Sequence, residues 1–535
     1  MSATTVPLTL WSPLRQPVFR SLWIASAVST IGSWMHDTGS AWLMTSLSSS
    51  PFLISMMQVA TSLPFFLLAL PAGAIADVID RRKMLLCTQG IMLVFAALLG
   101  ILTLADITTP EILLALTFAI SIGSAMNQPV WQAVTPELVT QEELPSAVTL
   151  SGIVINLSRS IGPALAGIII AVAGTGVVFL LNATSFLGII LVVYRWKREP
   201  KANALPTERV IGAIQSGIRY VRFSPVFQSV LIRTAAYAFF ASALLGLLPL
   251  LARQELKLDA LGYGIILGCW GIGGLAGAFI LPKARQKFSI DRIVAGASLL
   301  MGAMMLALAS VRNLPLVCGV MLFVGIASLC VLVCLNVSTQ TAVPTWVRAR
   351  ALAVYLLVFQ GSLSLGSILW GAIAQQTNIS TALSISAIGL IICVLLTRGY
   401  RLRCTELLDL RASLHWDRPA LVFEPCPNDG PVFISLEYYI DPVNAEEFVK
   451  AMKVLGRIRR RDGAIQWGIY QDLSDPRRFV ETMLVESWVE HKRQYERVTN
   501  SDKAIEDRVR AFHIGQEPPQ ISQTIYAHPF KSNPC

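Results

Sequence analysis

Charge is what this chain of 535 residues has least of. Asp, Glu, Lys and Arg make up only 14% of it, against 54% hydrophobic residues and a mean hydropathy of +0.59. Soluble domains carry about 25% charged residues, so a soluble enzyme chain, a disordered chain and a collagen-like fibre are excluded. Histidine is scarce as well, at five residues, and the nine cysteines form no CxxC or Cys/His cluster. That leaves no basis for a metal site or a disulfide framework. There is no phosphate-binding loop, because GIGG at 271–274 lacks the Lys-Ser/Thr of an ATP site. No cofactor is expected. An outer-membrane barrel is excluded too, since its strands would alternate over about 10 residues and the apolar runs here are longer.

Those runs are what is present. A transmembrane helix needs about 20 mostly apolar residues, and twelve segments qualify: 18–46, 52–76, 84–105, 111–132, 146–173, 175–195, 226–250, 262–282, 291–311, 314–336, 352–374 and 379–398. The first is too long and too polar for a signal-peptide core, and no small-residue cleavage site follows it. The formal charge of +10 sits beside these segments, with 28 of the 43 Lys+Arg and 18 of the 33 Asp+Glu in residues 1–430, whereas residues 431–535 hold 15 of each. The tail therefore reads as an ordinary soluble module on a membrane body, and the basic excess as membrane-flanking charge rather than a nucleic-acid surface.

Basic residues cluster after segment 2 (Arg81, Arg82, Lys83), after segment 8 (Lys283, Arg285, Lys287), after segment 10 (Arg348, Arg350) and through the link from Arg195 to Arg222. SLSSSP (46–51), AGTG (173–176) and QQTNIS (375–380) carry none. The loop after segment 4 holds Glu137, Glu142 and Glu143, but acidic residues count little in setting orientation. By the positive-inside rule both termini and the C-terminal module are cytoplasmic. The expected domains are two six-helix halves, 1–195 and 226–398, a cytoplasmic link at 196–225, a linker at 399–430 and a module at 431–535. QAVTPELV (132–139) and QTAVPTWV (340–347) form a faint internal repeat that supports the division. ERVIGAIQSGIRYVR (208–222) reads as an amphipathic helix on the inner membrane surface.

Several residues stand out at membrane depth. Asp37 lies in segment 1 between Trp34 and Trp42. It is either a proton carrier or cation-binding group facing a cavity, or a residue near the outer mouth. Arg159 in segment 5 either binds an anionic group, pairs with an acid, or snorkels to the inner surface. Arg233 in segment 7 either pairs with an acid across the two halves or snorkels. Gly264, Gly268, Gly271, Gly274 and Gly277 form a small-residue stripe for close packing.

In the tail, PVFISLEYYI (431–440) reads as a strand. NAEEFVKAMKVLGRIRRRDG (444–463) reads as a helix with Phe448, Met452, Leu455 and Ile458 on one face. A hairpin turns at Ser474-Asp475-Pro476, and two helices follow. The order suggests a ferredoxin-like α+β fold. Arg457, Arg459, Arg460 and Arg461 read by default as solvated helix-end charge, the alternative being contact with anionic lipid or a substrate.

GAIADVIDRRK (73–83) resembles the cytoplasmic gating motif of the major facilitator superfamily, with Gly73, Asp77, Arg81 and Arg82 matching and Val78 and Asp80 departing. Gly162, Pro163 and Gly167 resemble the fifth-helix motif of its antiporters. SLWIASAVSTIGSWMHDTGSAWLMTSL, NLSRSIGPALAG, WGIYQDLSDP and ESWVEHKRQYERVT together resemble its transmembrane secretion effector, enterobactin-exporter-like branch. The tail, with Glu486, Trp488 and His491, resembles antibiotic-biosynthesis-monooxygenase-like dimeric barrels.

These resemblances imply proton-coupled export of a siderophore or other amphipathic molecule by alternating access. The implied partners are the bilayer, the small-molecule cargo, a proton gradient and a second copy through the module. His491 is either an acid-base or ligand-binding group or a surface histidine on a charged helix. The alternatives are a transporter fused to an enzyme that modifies its cargo, and a transporter-derived sensor.

Overall fold

The computed structural model describes residues 9–140, 142–196, 210–402, 409–416 and 425–526, without the side chains of 70, 73, 74, 76–78 and 210–216. The chain divides into two compact units. One comprises Met1–Thr207, Leu231–Val337 and Ala353–Tyr400; the other comprises Glu208–Val230, Ser338–Leu352 and Arg401–Cys535.

The first unit is helical. Its N-terminal half contains α1 (Pro17–Leu47), α2 (Pro51–Val78), α3 (Arg81–Leu104), α4 (Pro110–Leu138), α5 (Leu144–Ala173) and α6 (Thr175–Arg195). After α7 (Val210–Phe223), which belongs to the second unit, come α8 (Pro225–Leu250), α9 (Ala260–Lys287), α10 (Ile290–Ser310), α11 (Leu314–Thr341), α12 (Arg348–Gln376) and α13 (Ile379–Leu396). Eleven of these twelve long helices are long and apolar enough to cross a membrane. The other, α1, is diluted by Ser29, Thr30, His36, Asp37 and Thr38, and packs inside the bundle on α5 and α6.

The helix starts are written locally. Pro at the first helical position needs no amide partner, and α1, α2 and α4 all begin with one. Side chains of Ser50, Thr109, Asp259 and Asn378 cap α2, α4, α9 and α13 by accepting a backbone amide. Asp80 caps α3 by accepting from the Lys83 amide at 3.0 Å. That is a physical role for a residue that departs from the gating motif.

In the second unit, β1 (Val432–Tyr439), α14 (Ala445–Asp462), β2 (Ala464–Gln471), β3 (Arg478–Val485), α15 (Trp488–Arg497), α16 (Asn500–Arg510) and β4 (Gln520–Ile525) form the module. Its sheet has the order β2-β3-β1-β4, and each neighbouring pair is antiparallel. This is the ferredoxin-like arrangement, closed by a fourth strand that the sequence reading lacked. Val432, Ile434, Leu436 and Tyr438 of β1 pack on Phe448, Met452, Leu455 and Ile458 of α14. Each large apolar side chain so buried contributes roughly 1.5–3 kcal/mol.

Three expectations need correction here. Arg459 and Arg461 are buried rather than solvated. Arg459 pairs with Glu481 at 3.2 Å and Glu506 at 2.5 Å, and Arg461 with Asp462 at 2.8 Å and Asp502 at 2.7 Å. Helix α7 does not present Tyr220 to a membrane surface: the ring packs on Phe227 and Trp346, with the Arg461 guanidinium 5.5 Å from its centroid. Finally, Cys426 is disulfide-bonded, to a partner outside the described residues.

Candidate functional site

Arg159 lies halfway along α5 and is held between two indoles. Its guanidinium carbon is 5.3 Å from the ring centroid of Trp34 on α1 and 4.5 Å from that of Trp270 on α9. Trp270 is itself fixed, since its Nε1–H donates to Ser328 of α11 at 3.1 Å. The cluster therefore joins the two six-helix halves. Among the described residues no carboxylate pairs with Arg159, and its Nε is buried without a hydrogen-bond partner. A cavity opens beside it, with Tyr237, Ala241, Leu244, Met301 and Phe359 among its walls.

Asp37 is exposed, although Met35, His36 and Thr38 around it are buried. It stands ten residues before the end of α1, which at 1.5 Å per residue is about 15 Å from that end. His36 turns away and packs on Phe179 of α6, ring centroids 4.8 Å apart. The two residues are thus not one site.

The halves meet closely along α5 and α9. A Cβ on Gly167 would come within 2.8 Å of the Ala260 carbonyl and one on Gly264 within 2.8 Å of the Pro163 carbonyl, whereas one on Gly162 would come within 2.6 Å of the Trp34 Cβ on α1, in the same half. The stripe on α9 is in fact divided: Gly264 and Gly271 meet α5, whereas Gly277 meets Ile326 of α11.

More cross-half contacts lie toward the end of the bundle that carries the 48–50, 174 and 377–378 links. Ser62 and Ser364 share a hydrogen bond of 2.7 Å, and Ser50 donates to Gln375 at 2.8 Å. Arg253, just past α8, donates to Thr45 at 3.1 Å and to Ser46, and lies 5.3 Å from the Trp42 ring. Trp42 stacks on Tyr263 at 5.5 Å. Sequence reasoning missed Arg253, although an arginine beside a charge-poor end was a signal.

At the opposite end, Arg81 pairs with Glu137 of α4 at 2.5 Å and donates to the Ala133 carbonyl at 3.0 Å. Arg82 caps α6 through the carbonyls of Val193 and Tyr194. Gly73 and Asp77 fall within α2, but their side chains lie outside the described residues. Arg233 does not reach an acid across the halves. It pairs at 3.0 Å with Asp291, in the first turn of α10 and in the same half.

In the module, Trp488 and His491 are buried and stack with centroids 5.5 Å apart, whereas Glu486 is exposed. His491 is therefore not a surface residue; it bonds Gln494 at 3.1 Å and packs on Tyr495. Its pKa is lowered, chiefly by burial. Glu481 and Glu506 converge nearby, but both are tied to Arg459, and Tyr438, Trp467, His415 and Trp416 supply further bonds.

Comparison with known proteins supports the family and the fold. Residues 8–529 match the family described as transmembrane secretion effector. The chain is 25% identical over 369 residues to the staphyloferrin A transporter of Staphylococcus aureus, covering 68% of this chain and 90% of that one. It is 25% identical to the multidrug efflux pump Tap of Mycolicibacterium fortuitum, covering 72% and 96%, and 22% identical to the enterobactin exporter of Salmonella typhi, covering 49% and 63%. Among solved structures, an inward-facing, unoccupied bacterial homologue of the human lysosomal transporter Spinster superposes with a TM-score of 0.57 at 14% identity, covering 74% of this chain and 97% of that one. A bacterial homologue of the iron transporter ferroportin, inward-facing, superposes with a TM-score of 0.57 at 15% identity, covering 72% and 98%. The chain is a multi-pass membrane transporter and belongs to the transmembrane secretion effector family of the major facilitator superfamily.

Proposed function

We propose that the protein exports a siderophore or another amphipathic small molecule from the cytoplasm in exchange for protons, by alternating access. The observation that carries this reading is a mid-depth cavity around Arg159, between halves that close on each other toward one end. Of the loops at the closed end, SLSSSP, AGTG and QQTNIS are free of charge and the others carry both signs (Asp106, Arg253, Glu255, Lys257, Asp259 and Arg312), whereas the opposite end is basic. By the positive-inside rule the closed end is then external and the conformation faces inward. Opening to the outside would break the Ser62–Ser364 and Ser50–Gln375 bonds, release Arg253 and part α5 from α9. The siderophore and multidrug cargoes named for the relatives support the substrate class.

Asp37 is the proton carrier in this reading. It is a carboxylate well inside α1 and separate from the Arg159 cavity lining. The Gly73, Asp77, Arg81 and Arg82 motif is the inner gate. In it, Arg81 and Arg82 brace α3 on α4 and α6 so that the N-terminal half moves as one piece. Arg233 has a bracing role in the other half. Pro163 and Gly167 form the seam on which the halves rock, and Gly162 seats α5 on α1 within the N-terminal half. A second copy docks through the open face of the module sheet, which carries exposed Phe433 and Tyr470. The acids buried in the module are already paired with Arg459 or Arg461, which weighs against the enzyme reading.

The test is flux in proteoliposomes under an imposed pH gradient, over a panel of siderophores and lipophilic cations. The parent moves its cargo only while the gradient stands, and Asp37→Asn loses gradient-driven flux while keeping its fold. Flux that persists after a protonophore collapses the gradient would overturn proton coupling. Full flux in Asp37→Asn would remove that residue from the proton path.

A further inference from the structure

We propose that Arg159 is the receptor for one acidic group on the cargo, so that the cargo is an amphipathic anion with its acid group on a flat, unsaturated body. A lipophilic cation would be the wrong substrate. The inference deepens the exporter reading and rests on it.

The argument begins with what Arg159 lacks. In the same helical unit Arg81 has Glu137, Arg233 has Asp291 and Arg312 has Glu255. Arg159 sits deeper than any of these, where an uncompensated charge costs most, and among the described residues it has no acid. Two indoles hold it instead. Stacked rings attract the cation but do not neutralise it, and Ser328 keeps the closer ring in place. The site is short of one negative charge.

The surroundings say what would bring that charge. The cavity walls near Arg159 are mostly aliphatic and aromatic, with Tyr237 and Ser328 as further polar groups, and no acid lines them. A cationic cargo would meet a like charge and find no counter-charge. An anion would pair with the guanidinium fork, which suits the two oxygens of a carboxylate or of an ionised ortho-diphenol. The rings of Trp270 and Phe359 offer planar surfaces to the rest of the molecule. Asp37 lies outside this lining, so the acid of the cargo and the proton would not compete for one residue. An anionic lipid headgroup has the same chemistry and is separated by the test.

Binding is measured on the full chain in nanodiscs of phosphatidylcholine, by energy transfer from tryptophan to three dansyl probes of equal body and different charge. These are dansylglycine (anionic), its methyl ester (neutral) and dansylcadaverine (cationic). The parent binds the anion about tenfold tighter than the ester and the cation most weakly. Arg159→Gln erases the difference between anion and ester. Arg159→Lys, which keeps the charge and loses the fork, retains the anion's lead over the cation but binds the anion more weakly than the parent. Equal affinity for anion and cation in the parent, or parent-like anion binding in Arg159→Lys, overturns the proposal even if Arg159→Gln fails to fold. An anion preference that vanishes when phosphatidylglycerol is added assigns the site to a lipid headgroup and overturns it too. These measurements use no gradient. A chain that binds the anion but does not move it overturns coupled export alone, and gradient-driven flux without anion preference overturns only this inference.

Discussion

Arg219 of α7 donates to Glu490 of α15 at 2.9 Å, and this bond ties the link between the two six-helix halves to the module. Glu490 also takes Arg497 at 2.5 Å, and Arg497 in turn bonds the Asp462 carbonyl at 2.8 Å and lies 4.5 Å from the Trp346 ring centroid. Trp346 belongs to the connector between α11 and α12, so the module clamps two connectors at once. Tyr220 adds a bond to the Ala342 carbonyl at 3.2 Å, and burial pushes its phenol up to about 12. It therefore remains a donor at neutral pH.

This clamp has a pH dependence with a definite sign. Burial alone would raise the Glu490 pKa, but the hydrogen bonds and charges of Arg497 and Arg219 outweigh it and hold the carboxyl below its usual range. A depressed folded-state pKa contributes stability that is present above the unfolded value, about 4.3, and is lost as pH falls through the folded value. Glu506 is shifted in the same direction, its burial outweighed by Arg459. Hydrogen exchange on the full chain should show α7, α15 and α16 protected and unchanged between pH 7 and 5, with protection falling below about pH 4. Loss of protection between pH 7 and 6 would point to histidine instead.

Arg459 holds two buried carboxylates, Glu481 and Glu506, and both lose the buried cation between them if it is removed. Arg459→Met should therefore destabilise the module by about 3–5 kcal/mol, read as an earlier thermal transition of the module in the full chain. Glu481→Gln leaves Arg459 its bond to Glu506 and should cost less. Equal shifts for the two variants would show that the network does not centre on Arg459.

Eleven of the long helices were legible as long apolar runs and α1 from its length, and their observed ends fall within six residues of the expected boundaries. The ferredoxin-like order was legible from period-2 and period-3.6 patterns. β4 was not, since QISQTI alternates weakly and its residues are mostly exposed. The burial of Arg459 could have been read, because it lies four residues after Leu455 and seven after Met452, on the same helix face. The depth of Arg159 was visible in its position along α5, but its partners were not. Trp34 and Trp270 are more than a hundred residues away on either side, and only packing brings them together. The Arg233–Asp291 pair stayed hidden for the same reason, as nothing local connects α8 to the start of α10.

The Ser62–Ser364 contact gives a direct test of the closed end. With hydroxyl oxygens 2.7 Å apart, a Ser62→Cys, Ser364→Cys pair should oxidise to a disulfide with little backbone movement. Transport should stop on oxidation and return on reduction, with the cross-linked peptide identified by mass spectrometry among the native cysteines. Full transport with the bond formed would show that the halves need not separate there.

Gly264 tests whether the seam itself sets the resting conformation. A Cβ at this position would lie 2.8 Å from the Pro163 carbonyl and 3.0 Å from the Gly167 Cα, both main-chain atoms that cannot swing aside. Gly264→Val should therefore wedge α9 from α5 without disturbing the packing of either half. Overpacking of this kind costs about 1–3 kcal/mol, charged here to the closed state alone. A shift of 1.4 kcal/mol changes the ratio of the two states about tenfold. The variant should oxidise the Ser62→Cys, Ser364→Cys pair more slowly than the parent and expose Arg253 and Trp42 to solvent. Gly268, where a Cβ would meet only the Ala164 Cβ at 3.7 Å, is the control on the same helix: Gly268→Ala should oxidise at the parent rate. If Gly264→Val and Gly268→Ala behave alike, the close approach of α5 and α9 is not what holds the halves together.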